Sequence, residues 1–240
     1  MENKTYTAAV VKDTVDEGLR SYMVKVYNYM TGGLCLTALT VLFLMRTGLI
    51  SLFFNIQDGY ASLSLLGWAA FIAPFVMVFM FSSAVRNGSL SKVQTMFWLY
   101  SAVIGIAIAP IMLAYTGTSI VRVFLITSAT FGSMSLYGYT TKKDLTSVGS
   151  FLFMGVWGLI IASIVNIFMQ SHAVYWAITY AGVIIFVGLT AYDTQKIRLI
   201  YSRHDTEDML TRKALVGALE LYMDFINLFL YLLRAMGDRK

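Results

Sequence analysis

Residues 145–192 form an unbroken run of 48 residues without one Asp, Glu, Lys or Arg. At about 1.5 Å per residue a single helix of that length would reach roughly 72 Å, more than twice the ~30 Å hydrocarbon core of a bilayer. The run therefore predicts two consecutive membrane-spanning helices, with Gln170-Ser171-His172 as the break between them. Four further charge-poor runs have spanning length: residues 26–45, 59–85 (apolar body 63–81), 93–121 and 123–141. The third breaks at Thr116-Gly117-Thr118-Ser119. A last segment, residues 214–233, is long enough to span but contains Glu220 and Asp224. The reading is an all-α membrane protein of seven transmembrane helices, six clearly apolar and one polar.

Composition agrees. Hydrophobic residues make up 58% and charged residues 13%, where a soluble domain holds about 25% charge. That excess excludes a soluble enzyme, a nucleic-acid-binding domain and a disordered tail. Transmembrane β-strands would alternate apolar and polar residues, whereas these runs are continuous. The single cysteine, Cys35, excludes an intramolecular disulfide framework or a cysteine metal cluster and reads as a packing residue inside the first span. His172 and His204 fall in loops on opposite faces, so they share no metal site. No charge-flanked short apolar stretch with a small-residue cleavage site opens the chain, so the first helix is expected to act as its own insertion signal.

Loop charges set an orientation. Thirteen basic residues fall on the side of the N-terminus, in the segment before span one and in the loops carrying Arg86 and Lys92, Lys142 and Lys143, and Lys196 to Lys213. Arg46, Arg122, Arg234, Arg239 and Lys240 fall on the other side. The positive-inside rule then places the N-terminus in the cytoplasm. Three of the five lie at the C-terminus; they would rejoin the basic side if the last segment re-entered, but its 20 residues suffice to cross. The expected organisation is a cytoplasmic N-terminal tail (1–25), a transmembrane domain (26–234) and a short basic tail (235–240). Pro74 and Pro110 are expected to kink spans two and three. Ser101, Gly105 and Ala109, spaced by four, give span three a face that admits close helix packing.

Acids inside a membrane are costly, by about 2.5–3.5 kcal/mol each on insertion scales, and mark functional sites. Asp193 lies near the cytoplasmic end of span six, and Asp224 about ten residues into span seven from the same side, at similar height. Lys213, Gly217, Glu220, Asp224 and Asn227 recur at steps of three and four along span seven. Such a stripe turns away from lipid, so the seventh helix is expected at the centre of the bundle. Two close carboxyl groups in low dielectric cannot both ionise cheaply and tend to share a proton. Protonated, they hold the helices together; deprotonated, they repel and admit water or a cation. Carboxylate and carbonyl oxygens suit Ca²⁺, here as a weak contact at Asp193 and Asp224. Arg86, following span two on the same side, is the expected counter-charge.

The segment Ala191-Tyr192-Asp193-Thr194-Gln195-Lys196-Ile197, followed by Leu221-Tyr222-Met223-Asp224-Phe225-Ile226-Asn227-Leu228-Phe229, resembles the two-part signature of the transmembrane Bax inhibitor motif family. The opening stretch from Arg20 to Met30 is similar to the bacterial branch of that family. The resemblance covers essentially the whole chain. It implies a seven-helix fold with the last helix wrapped by the other six, and a bacterial inner-membrane location. It also implies a pH-sensitive calcium leak gated by an aspartate pair, which maps to Asp193 and Asp224. An arginine latch at the end of the second helix maps nearest to Arg86. Some relatives carry an acid inside the second helix, where Gly67-Trp68-Ala69-Ala70-Phe71 offers none.

Three functions compete. The first is a passive, proton-regulated cation pathway, chiefly for Ca²⁺, with no catalytic residue and no cofactor. Asp193 and Asp224 sense and gate; Arg86, Glu220 and Asn227 line or latch the path. The second is a non-transporting regulator that binds another membrane protein, such as a quality-control protease. The third, an intramembrane aspartyl protease, lacks a Gly-x-Gly-Asp motif, which Leu221-Tyr222-Met223-Asp224 does not supply, and a Pro-Ala-Leu segment.

Overall fold

A computed structural model describes the backbone of residues 2–57 and 60–240 and the side chains of residues 17–55 and 62–240. Helix α1 (Glu2–Thr47) leads through a short α2 (Ile50–Phe53) into an antiparallel hairpin of β1 (Phe54–Gln57) and β2 (Tyr60–Leu63). Then come α3 (Leu65–Asn87), α4 (Leu90–Ile108), the single turn α5 (Ile111–Ala114), α6 (Gly117–Thr140), α7 (Thr146–Met169), α8 (His172–Leu199) and α9 (Glu207–Met236). Seven segments are long and apolar enough to cross a membrane: Glu17–Thr47 of α1, α3, Leu90–Ala114, α6, α7, α8 and α9.

The sequence marks its own helix boundaries. Ser64, Ser89, Thr116, Ser171 and Thr206 each precede a helix in extended conformation, and each side chain accepts a hydrogen bond from an N–H of the first turn. Such caps satisfy donors that the helix itself leaves unpaired and contribute about 1 kcal/mol apiece. The long uncharged run divides at the expected place. Gln170 takes the left-handed conformation (φ 49°, ψ 31°), its N–H bonds to Asn166 O, and Ser171 caps the next helix.

Three local expectations are revised. Pro110 does not kink a continuous helix; α4 ends at Ile108 and Pro110 becomes the residue that starts α5. Pro74 does remain inside α3. The uncharged run 59–85 does not begin as helix, because its first residues form β2, paired Leu63 to Phe54 and Ser62 to Asn55. Cys35 is exposed on α1 instead of packed.

Helix α9 is the most buried span: 67% of its most apolar window lies inside the protein, against 11–33% for the others. It packs extensively on α8, α1, α6 and α4, while α3 lies on α4 and α7 on α8. Helix α3 also reaches it, through Arg212, which donates to Val85 O (3.3 Å). Outward faces remain apolar, with Phe79, Phe168 and Trp157 all exposed. Such surface is stable against lipid and not against water.

Close approaches fix the packing. On α4, Ser101, Gly105 and Ala109 are buried, and a side chain at Gly105 would meet Thr40 and the Thr37 carbonyl of α1. On α6, Gly138 lies against the Ala191 backbone of α8, so no β-carbon fits between them. The ends of α9 sit on opposite sides of the bundle. Near its start, Lys25 pairs with Glu207 at 3.3 Å. Beyond its end, Asp238 O accepts from Thr116 N (3.1 Å), Asp238 N donates to Ser119 Oγ (2.9 Å), and Arg122 pairs with the Asp238 carboxylate (3.0 Å). The last helix therefore runs from one side of the bundle to the other, and the basic tail is strapped over the α5–α6 turn.

Candidate functional site: a carboxyl pair between α8 and α9

The carboxyl groups of Asp193 on α8 and Asp224 on α9 are neighbours within hydrogen-bonding reach of one another. Both are buried, at 7% and 5% exposure. Among the described residues Asp224 Oδ2 has no hydrogen-bond partner. Two ionised carboxylates can only accept, so neither satisfies the other; one added proton makes a donor of the pair. A single proton between Asp193 and Asp224 is the smallest change that gives the orphaned oxygen a partner.

One turn toward the basic side stands Lys196, three residues after Asp193. Its Nζ lies 3.9 Å from Asp193 Oδ1 and 2.7 Å from Glu220 Oε1. The Lys196 side chain is 41% exposed, so this ion pair is wet on one side. The order from the interior outward is Asp224, Asp193, then the Lys196–Glu220 pair. The buried hydroxyl of Tyr22 on α1 has no hydrogen-bond partner among the described residues.

The other expected residues sit elsewhere. Arg86 ends α3 exposed and makes no ion pair among the described residues, so in this structure the cation beside Asp193 is Lys196. Asn227 is half-buried and donates to Met223 O of its own helix (2.9 Å), away from the pair. Lys213 closes the α8–α9 connection through Asp205 (2.5 Å) and Ile200 O (2.9 Å). The polar stripe of α9 thus divides into an interhelix tie, a packing glycine under Ile197, an ion pair, the carboxyl pair and a helix-internal bond.

Residues flanking Asp193 hold α8 in place. Thr194 Oγ1 meets Ser135 Oγ of α6 (3.0 Å), which meets Tyr27 OH of α1 (2.6 Å). Gln195 accepts from Leu145 N (2.9 Å) and donates to Lys143 O (2.8 Å), pinning the α6–α7 turn. Tyr222, two residues before Asp224, bonds to Thr37 of α1 (2.7 Å). None of these roles was assigned from sequence. For Lys196 the signal was present: its spacing from Asp193 places both on one helix face.

The donor set does not match a resident metal. Among the described residues no group of three or more His, Cys, Asp and Glu side chains could hold an ion. Two facing carboxyl groups offer four oxygens at most, short of the six to eight Ca²⁺ prefers, and Glu220 is engaged by Lys196.

Comparison with known proteins fits this picture. The chain is 44% identical over 227 residues to the inner membrane protein YbhL of Escherichia coli, covering 93% of this chain and 94% of that one. It is 42% identical over 238 residues to an uncharacterized protein of Rickettsia prowazekii (99% and 98% covered) and 40% identical over 245 aligned positions to one of Caulobacter vibrioides (99% and 98%). Residues 19–240 match the family described as Inhibitor of apoptosis-promoting Bax1. A multi-pass membrane fold, the two aspartate segments and this match over nearly the full length together place the chain in the Bax inhibitor family.

Proposed function

We propose that the protein is a passive, pH-sensitive cation leak pathway, chiefly for Ca²⁺, gated by the Asp193–Asp224 pair and without enzymatic activity. The observation that carries this reading is the buried, mutually facing pair with an unpartnered oxygen on Asp224. A proton bridging the two carboxyl groups joins α8 to α9. Its loss leaves two like charges in a low-dielectric interior, and repulsion then opens a gap that water or a cation can relieve. Lys196 acts in this scheme as a tethered cation that a passing ion must displace from Asp193 and Glu220. A site that binds only loosely suits passage, because an ion must leave as readily as it enters.

Orientation follows the charge pattern. The basic side faces the cytoplasm, with the protein in the inner membrane, which is where the name of the E. coli relative puts that protein.

The test is Ca²⁺ flux into liposomes as a function of pH for the wild type, Asp193→Asn and Asp224→Asn. An amide is a permanently neutral group that still donates. Each variant should therefore show flux independent of pH, at the level the wild type reaches on the acid side, which the repulsion argument makes the low one. Flux no greater than through empty liposomes at every pH overturns the proposal. So does a wild-type pH profile retained in both variants.

A further inference from the structure

A cleft of about 640 Å³ opens between α1 and α6, two helices with no extensive contact of their own, and Phe225 of α9 forms its floor. Its walls are apolar, from Met23 and Leu34 on α1 to Phe124 and Leu136 on α6. Arg20 stands exposed at its rim on the basic side of the bundle. We propose that this cleft is a binding site for one anionic phospholipid of the leaflet on the basic side, its acyl chain between α1 and α6 and its phosphate at Arg20. The inference does not rest on the leak function.

Three observations point to this occupant. First, the cleft lies between two spanning helices, so it opens to the bilayer, and its apolar walls favour a hydrocarbon chain over water. Second, its length matches one leaflet. From Arg20 to Leu34 is about 21 Å of helix, and half of a bilayer including headgroups is about 20–22 Å. Third, the charge is at the correct end. Arg20 sits where a headgroup phosphate would lie, and Lys142 and Lys143 follow the end of α6 on the same side.

The cleft also borders the carboxyl pair. Ser135 on its wall bonds to Thr194, the neighbour of Asp193, and Phe225 on its floor follows Asp224 in sequence. A seated chain therefore packs on residues next to both acids.

Gly132 provides a clean perturbation. It lines the cleft, and a β-carbon there would meet nothing within 4 Å. A large side chain at 132 therefore starts from open space and extends into the volume a lipid would take. Thr31, exposed on the α1 wall, gives a second filling position.

The experiment is native mass spectrometry of the detergent-purified protein, titrated with phosphatidylglycerol or with phosphatidylcholine. The wild type should retain one phosphatidylglycerol in preference to phosphatidylcholine. Gly132→Phe and Thr31→Phe, each checked for wild-type thermal stability, should reduce that retention at least tenfold. Arg20→Gln should lower phosphatidylglycerol retention about fivefold, the effect of one surface cation, and leave phosphatidylcholine unchanged. Undiminished retention in a folded filling variant overturns the proposal. Equal retention of the two lipids overturns it too, as does cross-linking of two copies through Gly132→Cys in a Cys35→Ser background, which would assign the cleft to a second copy of the chain.

Discussion

The hydroxyl pair of Thr37 and Tyr222 allows a sharp energetic prediction. Tyr222 is fully buried and Thr37 is 3% exposed. Thr37 Oγ1 lies 2.7 Å from Tyr222 OH, 2.8 Å from Ser101 O and 3.0 Å from Gly33 O. A hydroxyl carries one proton, and the two carbonyls can only accept. Both protons are used when Thr37 donates to a carbonyl and Tyr222 donates to Thr37. Thr37→Val keeps the shape but leaves the buried tyrosine proton without an acceptor, at a cost of about 1–3 kcal/mol. Tyr222→Phe removes the donor while Thr37 keeps its carbonyl, costing about 0.5–1.5 kcal/mol. The edge-on packing of ring 222 against Tyr100 survives that change. The double variant has no orphaned group, so it should be more stable than the sum predicts by about 0.6–1.7 kcal/mol, the range of interhelical hydrogen bonds in membrane proteins. SDS-induced unfolding in mixed micelles measures all three. Additivity within about 0.3–0.5 kcal/mol would refute the assigned hydrogen bond between the two hydroxyls.

Two other outcomes follow from local geometry. Gly138→Leu should destabilise the protein by about 1–3 kcal/mol or more, because its β-carbon meets the Ala191 backbone and the helices must separate. Gly132→Ala, with open space around it, should be neutral or stabilising by up to about 1 kcal/mol; thermal denaturation in detergent compares the two, and equal effects would contradict the packing. At the start of α7, the Thr146 hydroxyl (2.6 Å) and N–H (2.9 Å) both donate to Asp144, holding its carboxyl below the usual range. A lowered folded value adds stability above the unfolded value, and that contribution is lost as pH falls through the folded one. Thr146→Ala should move Asp144 toward the ordinary carboxylate range in an NMR titration; an unchanged midpoint would show that the hydroxyl does not matter.

Much of the architecture was legible because lipid leaves a helix few options. Length and charge alone located the seven spans, and the need to divide 48 uncharged residues located Gln170. The facing acids were legible for a similar reason: a carboxyl at that depth needs a polar partner, and the two helical registers offered one. What escaped reading was decided by contacts between distant segments. Residues 60–63 are apolar enough to begin a helix, yet they pair with 54–57 as a strand, a choice that hydropathy does not register. Lys196 was counted among loop cations because its charge fits the topology rule, although the same side chain folds back to Glu220. The C-terminus read only as a short basic tail because nothing in its last four residues announces Thr116 and Ser119 as the anchors of Asp238.

The surroundings of Asp193 and Asp224 also limit how the pair could act. Toward the basic side, α8 and α9 are tied by Lys196–Glu220 and by the Lys213 contacts across their connection. Tyr222 anchors α9 to α1, and Thr194 anchors α8 through Ser135. Separating the two helices as rigid bodies would break all of these together. On the proposed reading, loss of the shared proton is worth at most a few pairwise interactions of comparable size. The smaller motion is the one the packing permits: the half-buried Lys196–Glu220 pair, which solvent already reaches, yields first and opens the site from the basic side. Replacing Lys196 by Met should then weaken the barrier at that mouth and raise flux at every pH. An unchanged or reduced flux in that variant would place the constriction deeper than the ion pair.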